Sequence, residues 1–142
     1  MRLVIAMAVL VCPQVEAIAS KRIKPRTVIA VQISEAGKSE DEGAWETREC
    51  EAFRPTKDEV KRFFLKAYPV PEKMGLHDRY SPCYAKGSIE FSDNTRGRWK
   101  IRSSGIGVLV FDTGDRVNMF YRDYRWKDPF ACSYGLSDEG EC

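Results

Sequence analysis

His77 is the chain's only histidine. With Asp78 beside it in MGLHDRY, it could act as a general base oriented by a carboxylate. Adjacent residues rarely face one another productively, however, and no nucleophile motif accompanies the pair. The chain contains no G-x-S-x-G and no H-E-x-x-H, so a surface histidine in a loop accounts for His77. Ser104-Gly105-Ile106-Gly107 looks like a phosphate-cradling loop but lacks the Lys-Ser/Thr that completes one. A hairpin using Gly105 at positive φ explains it. Asp112-Thr113-Gly114-Asp115 offers two carboxylates to a cation, yet the spacing does not complete an EF-hand and a turn needs the same residues. The expectation is a protein without catalytic residues, metal or cofactor, with a small hydrolase using His77 as the enzymatic alternative.

Binding chemistry is better represented. Phe120 to Phe130 gathers aromatic residues and arginines in one short segment, and Tyr, Trp and Arg most often carry binding energy at protein interfaces. Tyr121, Tyr124, Arg125 and Trp126 are therefore candidate partner contacts, against the alternative that the aromatics cap the core while the basic groups stay solvated. The acidic run Glu35 to Glu42 is the second candidate. Its Glu40, Asp41 and Glu42 would insert into a basic cleft on a partner or simply remain a solvated loop. With 23 basic and 21 acidic side chains, no global charge bias points to nucleic acid or to anionic membranes.

The apolar run Leu3 to Val11 follows only Met1 and Arg2 and precedes Ala17-Ile18-Ala19. A positive start, a short apolar core and an A-x-A-like site read as a secretory signal peptide over residues 1–19. The run is too short to span a bilayer, which takes about 20 apolar residues, and charges interrupt every later apolar run. The expectation is a periplasmic or secreted protein, residues 20–142, forming one domain.

Of five cysteines, Cys12 would leave with the signal peptide. An even set remains, Cys50, Cys83, Cys132 and Cys142, which in an oxidising compartment reads as two disulfides. Three pairings are open. Cys50 with Cys83 and Cys132 with Cys142 is preferred, because the first bond would tie the start of a helix to the start of a sheet. A four-cysteine zinc site is disfavoured, since the chain has no C-x-x-C pair.

Several elements would position these groups. TVIAVQI (27–33) is β-branched and suits a first strand, SEAGKSEDEGA reads as an exposed loop, and Trp45 to Phe53 reads as a short extended piece. Thr56 with Glu59 fits a capping box, and Val60, Phe63, Phe64 and Ala67 follow at helical spacing. Pro69 and Pro71 stop that helix near Tyr68. From Cys83 the period becomes two: CYAKGSIEF, GRWKIRS, GVLVFD and RVNMFYR are separated by short glycine-bearing turns. In the second, Trp99 and Ile101 oppose Arg98, Lys100 and Arg102. The continuously apolar Val108 to Phe111 suits a central strand covered on both faces. The expected class is α+β, an antiparallel β-meander of four to five strands with one amphipathic helix packed on it.

The arrangement SPCYAKGSIEFSDNTRGRWKIRSSGIGVLVFDTGD, behind a helix and a signal peptide, resembles small exported proteins of Gram-negative bacteria. Periplasmic immunity proteins, which bind and block a competitor's toxin, are of this kind. The resemblance implies a binding role and a stoichiometric protein partner, a secreted toxin or enzyme, and transfers no functional residue. The alternative is a cell-envelope module that binds peptidoglycan or another carbohydrate through Trp99, Trp126 or Tyr84.

Overall fold

The computed structural model describes residues 26–131 and residue 133; the expected signal segment, Cys132 and Cys142 lie outside the described residues. The protein is α+β. Six strands form one antiparallel sheet: β1 (Val28–Ser39), β2 (Tyr68–Pro69), β3 (Cys83–Phe91), β4 (Arg96–Arg102), β5 (Ile106–Phe111) and β6 (Arg116–Phe120). Their order across the sheet is β1-β3-β4-β5-β6-β2. The meander β3 to β6 follows the hairpin spacing of the sequence. Two α-helices, α1 (Ala44–Cys50) and α2 (Lys57–Lys66), and a π-helical turn, Met74–Asp78, complete the described elements. The sheet thus exceeds the expected four to five strands, and the single expected helix has a companion. None of the described helices is long and apolar enough to cross a membrane.

The capping box forms at the start of α2. Thr56 Oγ1 accepts from the Glu59 backbone N–H, and the Glu59 carboxylate accepts from the Thr56 backbone N–H. The stripe behind it faces the sheet, with Val60 and Phe63 fully buried. Two glycines let large rings come close. A Cβ on Gly107 would lie 2.6 Å from Phe63 Cζ, and one on Gly87 would lie 1.9 Å from the Gln32 carbonyl oxygen and 2.9 Å from Trp99 Cζ2. Trp99 is buried across from Gly87, and its Nε1 donates to the Ser88 carbonyl at 3.0 Å. Phe63 and Trp99 thereby seat the helix on the middle of the sheet.

Two local expectations are corrected. Residues 34–39, read as loop, continue β1 against β3, because register shifts after Ile33 and Glu35 break the period-two pattern without ending the ladder. Gly37 takes φ 66° there, and its N–H donates to the Phe53 carbonyl. Trp45 to Phe53, read as extended, begins as α1. This helix buries only Cys50 and so lacks the apolar stripe that announces a helix. Its anchor is covalent: Cys50 and Cys83, both fully buried, have sulfurs 2.02 Å apart, a disulfide distance.

Both helices with contacts to the sheet pack against β1, and α1 also meets β3. Alternation along β4 then decides which face stays open. Gly97, Trp99 and Ile101 are buried beneath α2, while Arg96 and Arg98 are exposed on the other side. β5 is not covered on both faces as expected. Leu109 is buried, but Val108 and Val110, on the side of the arginines, are only half-buried.

Candidate site on the open face of the sheet

The outward residues of β4 form a cationic row: Arg96, Arg98, Lys100 and Arg102. Across the register, Arg98 faces Ser88 and Val110, Lys100 faces Lys86 and Val108, and Arg102 faces Tyr84. Like charges opposed in a sheet destabilise it, and the Lys86–Lys100 pair is relieved by carboxylates. Lys86 Nζ lies 3.1 Å from Glu35, and Lys100 pairs with Glu40.

Glu40 follows directly on β1 and its carboxylate bridges Lys100 and Arg102. Burial pushes its pKa up, but hydrogen bonds and charge from Lys100 and Arg102 outweigh burial and hold it below the usual carboxylate value. Each cation also rests on an aromatic face, Lys100 at 4.2 Å from the Tyr84 centroid and Arg102 at 5.0 Å from that of Tyr80. Arg102 donates to the Ser81 carbonyl at 2.6 Å. The Tyr80 hydroxyl donates to Asp41 at 3.0 Å, and burial followed by that carboxylate raises its pKa. Glu40 and Asp41, expected to reach into a partner, are thus engaged within the chain. Glu42 is exposed.

Beside this cluster a cleft of ≈ 260 Å³ runs along the open face. Val70, Leu76, Ile106 and Val108 give it apolar walls, and Arg116 and Asn118 of β6 lie at its polar side. Arg116 pairs with Glu72 at 3.3 Å, both more than half exposed, so that pair is worth at most about 1 kcal/mol.

The aromatic segment after β6 lies elsewhere. Tyr121 and Trp126, read as candidate contacts, are each only 9% exposed and belong to the core. Trp126 packs edge-on against Phe53 at 5.6 Å and stacks on Tyr124 at 5.0 Å. Tyr124 is half-buried, its hydroxyl donating to Asp128 at 3.2 Å, and Arg125 alone of these four is exposed. The segment therefore caps the core, because its rings fill the end of the sheet where the β4–β5 hairpin turns. His77 is exposed on the π-helical turn. Among the described residues no group of three or more His, Cys, Asp or Glu could hold a metal ion. Comparison with protein-family models, curated proteins and solved structures finds no match.

Arg98, Lys100 and Arg102 of the cationic row were readable from alternation in GRWKIRS. The sequence does not say that α1 and α2 pack on the opposite face, which leaves the outward side of β4 as part of a continuous surface bordered by the π-helical turn.

Proposed function

We propose that this chain is an exported, disulfide-stabilised binding protein of the immunity or inhibitor kind, blocking a secreted toxin or enzyme by covering its site. Its contact surface is the open face of the sheet centred on Arg98. One observation carries the reading: Arg98 is exposed at the middle of that face and, among the described residues, has no ion-pair partner, whereas Arg96, Lys100 and Arg102 beside it are paired. An arginine held by a rigid strand and flanked by half-buried Val110 suits an acidic partner surface with an apolar centre. The buried Cys50–Cys83 pair supports an oxidising compartment. The chain acts without turnover, metal or cofactor, and binds neither nucleic acid nor the membrane interior.

The test is affinity capture from periplasmic and secreted fractions with the oxidised protein and its Arg98→Glu variant. A stoichiometric protein that the chain inhibits, lost on Arg98→Glu, is expected. A partner retained by Arg98→Glu removes the open face from the reading. The envelope-binding alternative now rests on a different aromatic, since Trp99 and Trp126 are buried and Tyr84 lies under Lys100. Trp45, 56% exposed on α1, is the side chain that a cell-wall cosedimentation assay would test.

A further inference from the structure

The cleft beside Glu40 has the chemistry of a small-anion site, independent of any protein partner. Three cations, Lys100, Arg102 and Arg116, stand against two carboxylates, Glu40 and Glu72, leaving a net charge of +1. The two ends differ. Glu40 bridges Lys100 and Arg102, which leaves one positive charge in excess at that end, but the Arg102 side chain is only 16% exposed and is already committed to Glu40, the Ser81 carbonyl and the Tyr80 ring. Arg116 is held only by the exposed Glu72 contact at 3.3 Å, which an incoming carboxylate displaces at little cost. Asn118, two residues along the same strand, lies on the same face and brings an amide beside that guanidinium. Half-buried Val108 and Val70, with Ile106 and the exposed Leu76, supply the apolar walls.

We propose that this cleft binds a small monocarboxylate with a short apolar body, its carboxylate on Arg116 and Asn118 and its body against Val70, Leu76, Ile106 and Val108. The cleft volume of ≈ 260 Å³ lies below the usual range for drug-sized ligands, about 300–1,000 Å³, which sets the size class. A net charge of +1 matches a monoanion rather than a dianion, which separates this ligand class from phosphate.

The experiment is an NMR titration of the oxidised protein with hexanoate, with hexanol, acetate and inorganic phosphate as comparison probes. Hexanoate is expected to give saturable amide shifts confined to Val108, Asn118, Leu76 and their neighbours. Hexanol and acetate should each bind at least about tenfold more weakly, and Arg116→Gln should weaken hexanoate by about tenfold or more, as loss of one charge-assisted hydrogen bond implies. Equal binding of hexanol and hexanoate, equal binding of phosphate, or hexanoate shifts scattered outside the cleft would overturn the site. So would a response at Arg98 to an acidic peptide with none to hexanoate, although it would leave the inhibitor reading standing. Saturable hexanoate binding with no captured protein partner would sink the inhibitor reading and keep the site.

Discussion

The indole nitrogen of Trp126 donates to the carbonyl oxygen of Ser103 at 2.8 Å, so the segment after the last strand closes back on the β4–β5 hairpin. Ser103 is held from its side chain too. Its hydroxyl donates to Asp128 at 2.7 Å, which leaves its oxygen to accept from Ser81 at 2.6 Å. Asp128 also accepts the Phe130 backbone N–H at 3.1 Å. Three of these four hydrogen bonds join residues more than 20 apart in sequence, and the knot gives the aromatic segment a structural role.

Replacing Trp126 should therefore cost stability. Trp126→Ala removes a buried ring and is expected to lower the unfolding free energy by about 3–5 kcal/mol. Trp126→Phe keeps most of the packing but leaves the Ser103 carbonyl without its donor, for about 1–3 kcal/mol. Urea denaturation measures both. A loss below about 1 kcal/mol for the alanine variant would show that the ring is not in the core.

The buried Cys50–Cys83 pair closes a sequence separation of 33 residues, worth about 3–4 kcal/mol in the chain-entropy model. The Cys50→Ala, Cys83→Ala double variant should lose about that much, and α1 should lose protection from hydrogen exchange before β3 to β6, because α1 otherwise buries little. Uniform loss across the molecule would contradict that order.

Alkaline stability should follow Tyr124. Burial and then the nearby Asp128 push its pKa up to about 12, from 10.0. Folding therefore favours the neutral phenol: the stabilisation is complete below pH 10 and is lost as pH rises through about 12, since the unfolded chain ionises first. Tyr124→Phe is expected to flatten the fall in Tm between pH 10 and 12 relative to the parent. Parallel curves would assign that fall to other groups, Tyr80 first.

On the acid side the sign reverses. Glu40, held below the ordinary glutamate value of 4.5, contributes stability that is present above that value and lost as pH falls through its lower folded value. Glu40→Gln should reduce the acid-side slope of Tm below pH 4.5 and raise the Tm sensitivity to salt, because Lys100 and Arg102 are left uncompensated against Lys86. An unchanged acid slope would mean that the bridge contributes nothing in solution.

Gly107 tests the docking of α2. Gly107→Ala places a methyl 2.6 Å from Phe63 Cζ and is expected to cost about 1–3 kcal/mol as overpacking, partly restored by Phe63→Leu in the same chain. Absence of any restoration would place the strain elsewhere.

Local signals fixed much of this architecture in advance. The Thr56–Glu59 box and the stripe from Val60 to Ala67 define α2, and alternation with glycine-bearing turns defines the meander from Cys83 to Phe120. Both depend on neighbours within a few residues, which a sequence displays directly. The extension of β1 through Gly37 was hidden by bulges, and α1 by its lack of an apolar stripe. The roles of the conspicuous side chains depended on distant partners. Trp126 is a core residue because Phe53 and Ser103 meet it, and Glu40 is a bridge because β1 delivers it to Lys100 and Arg102. Sequence determined which residues could turn inward or outward along each strand. Only the tertiary structure decided which sheet face the helices would cover, because burial and charge pairing are set by contacts between segments far apart in the chain.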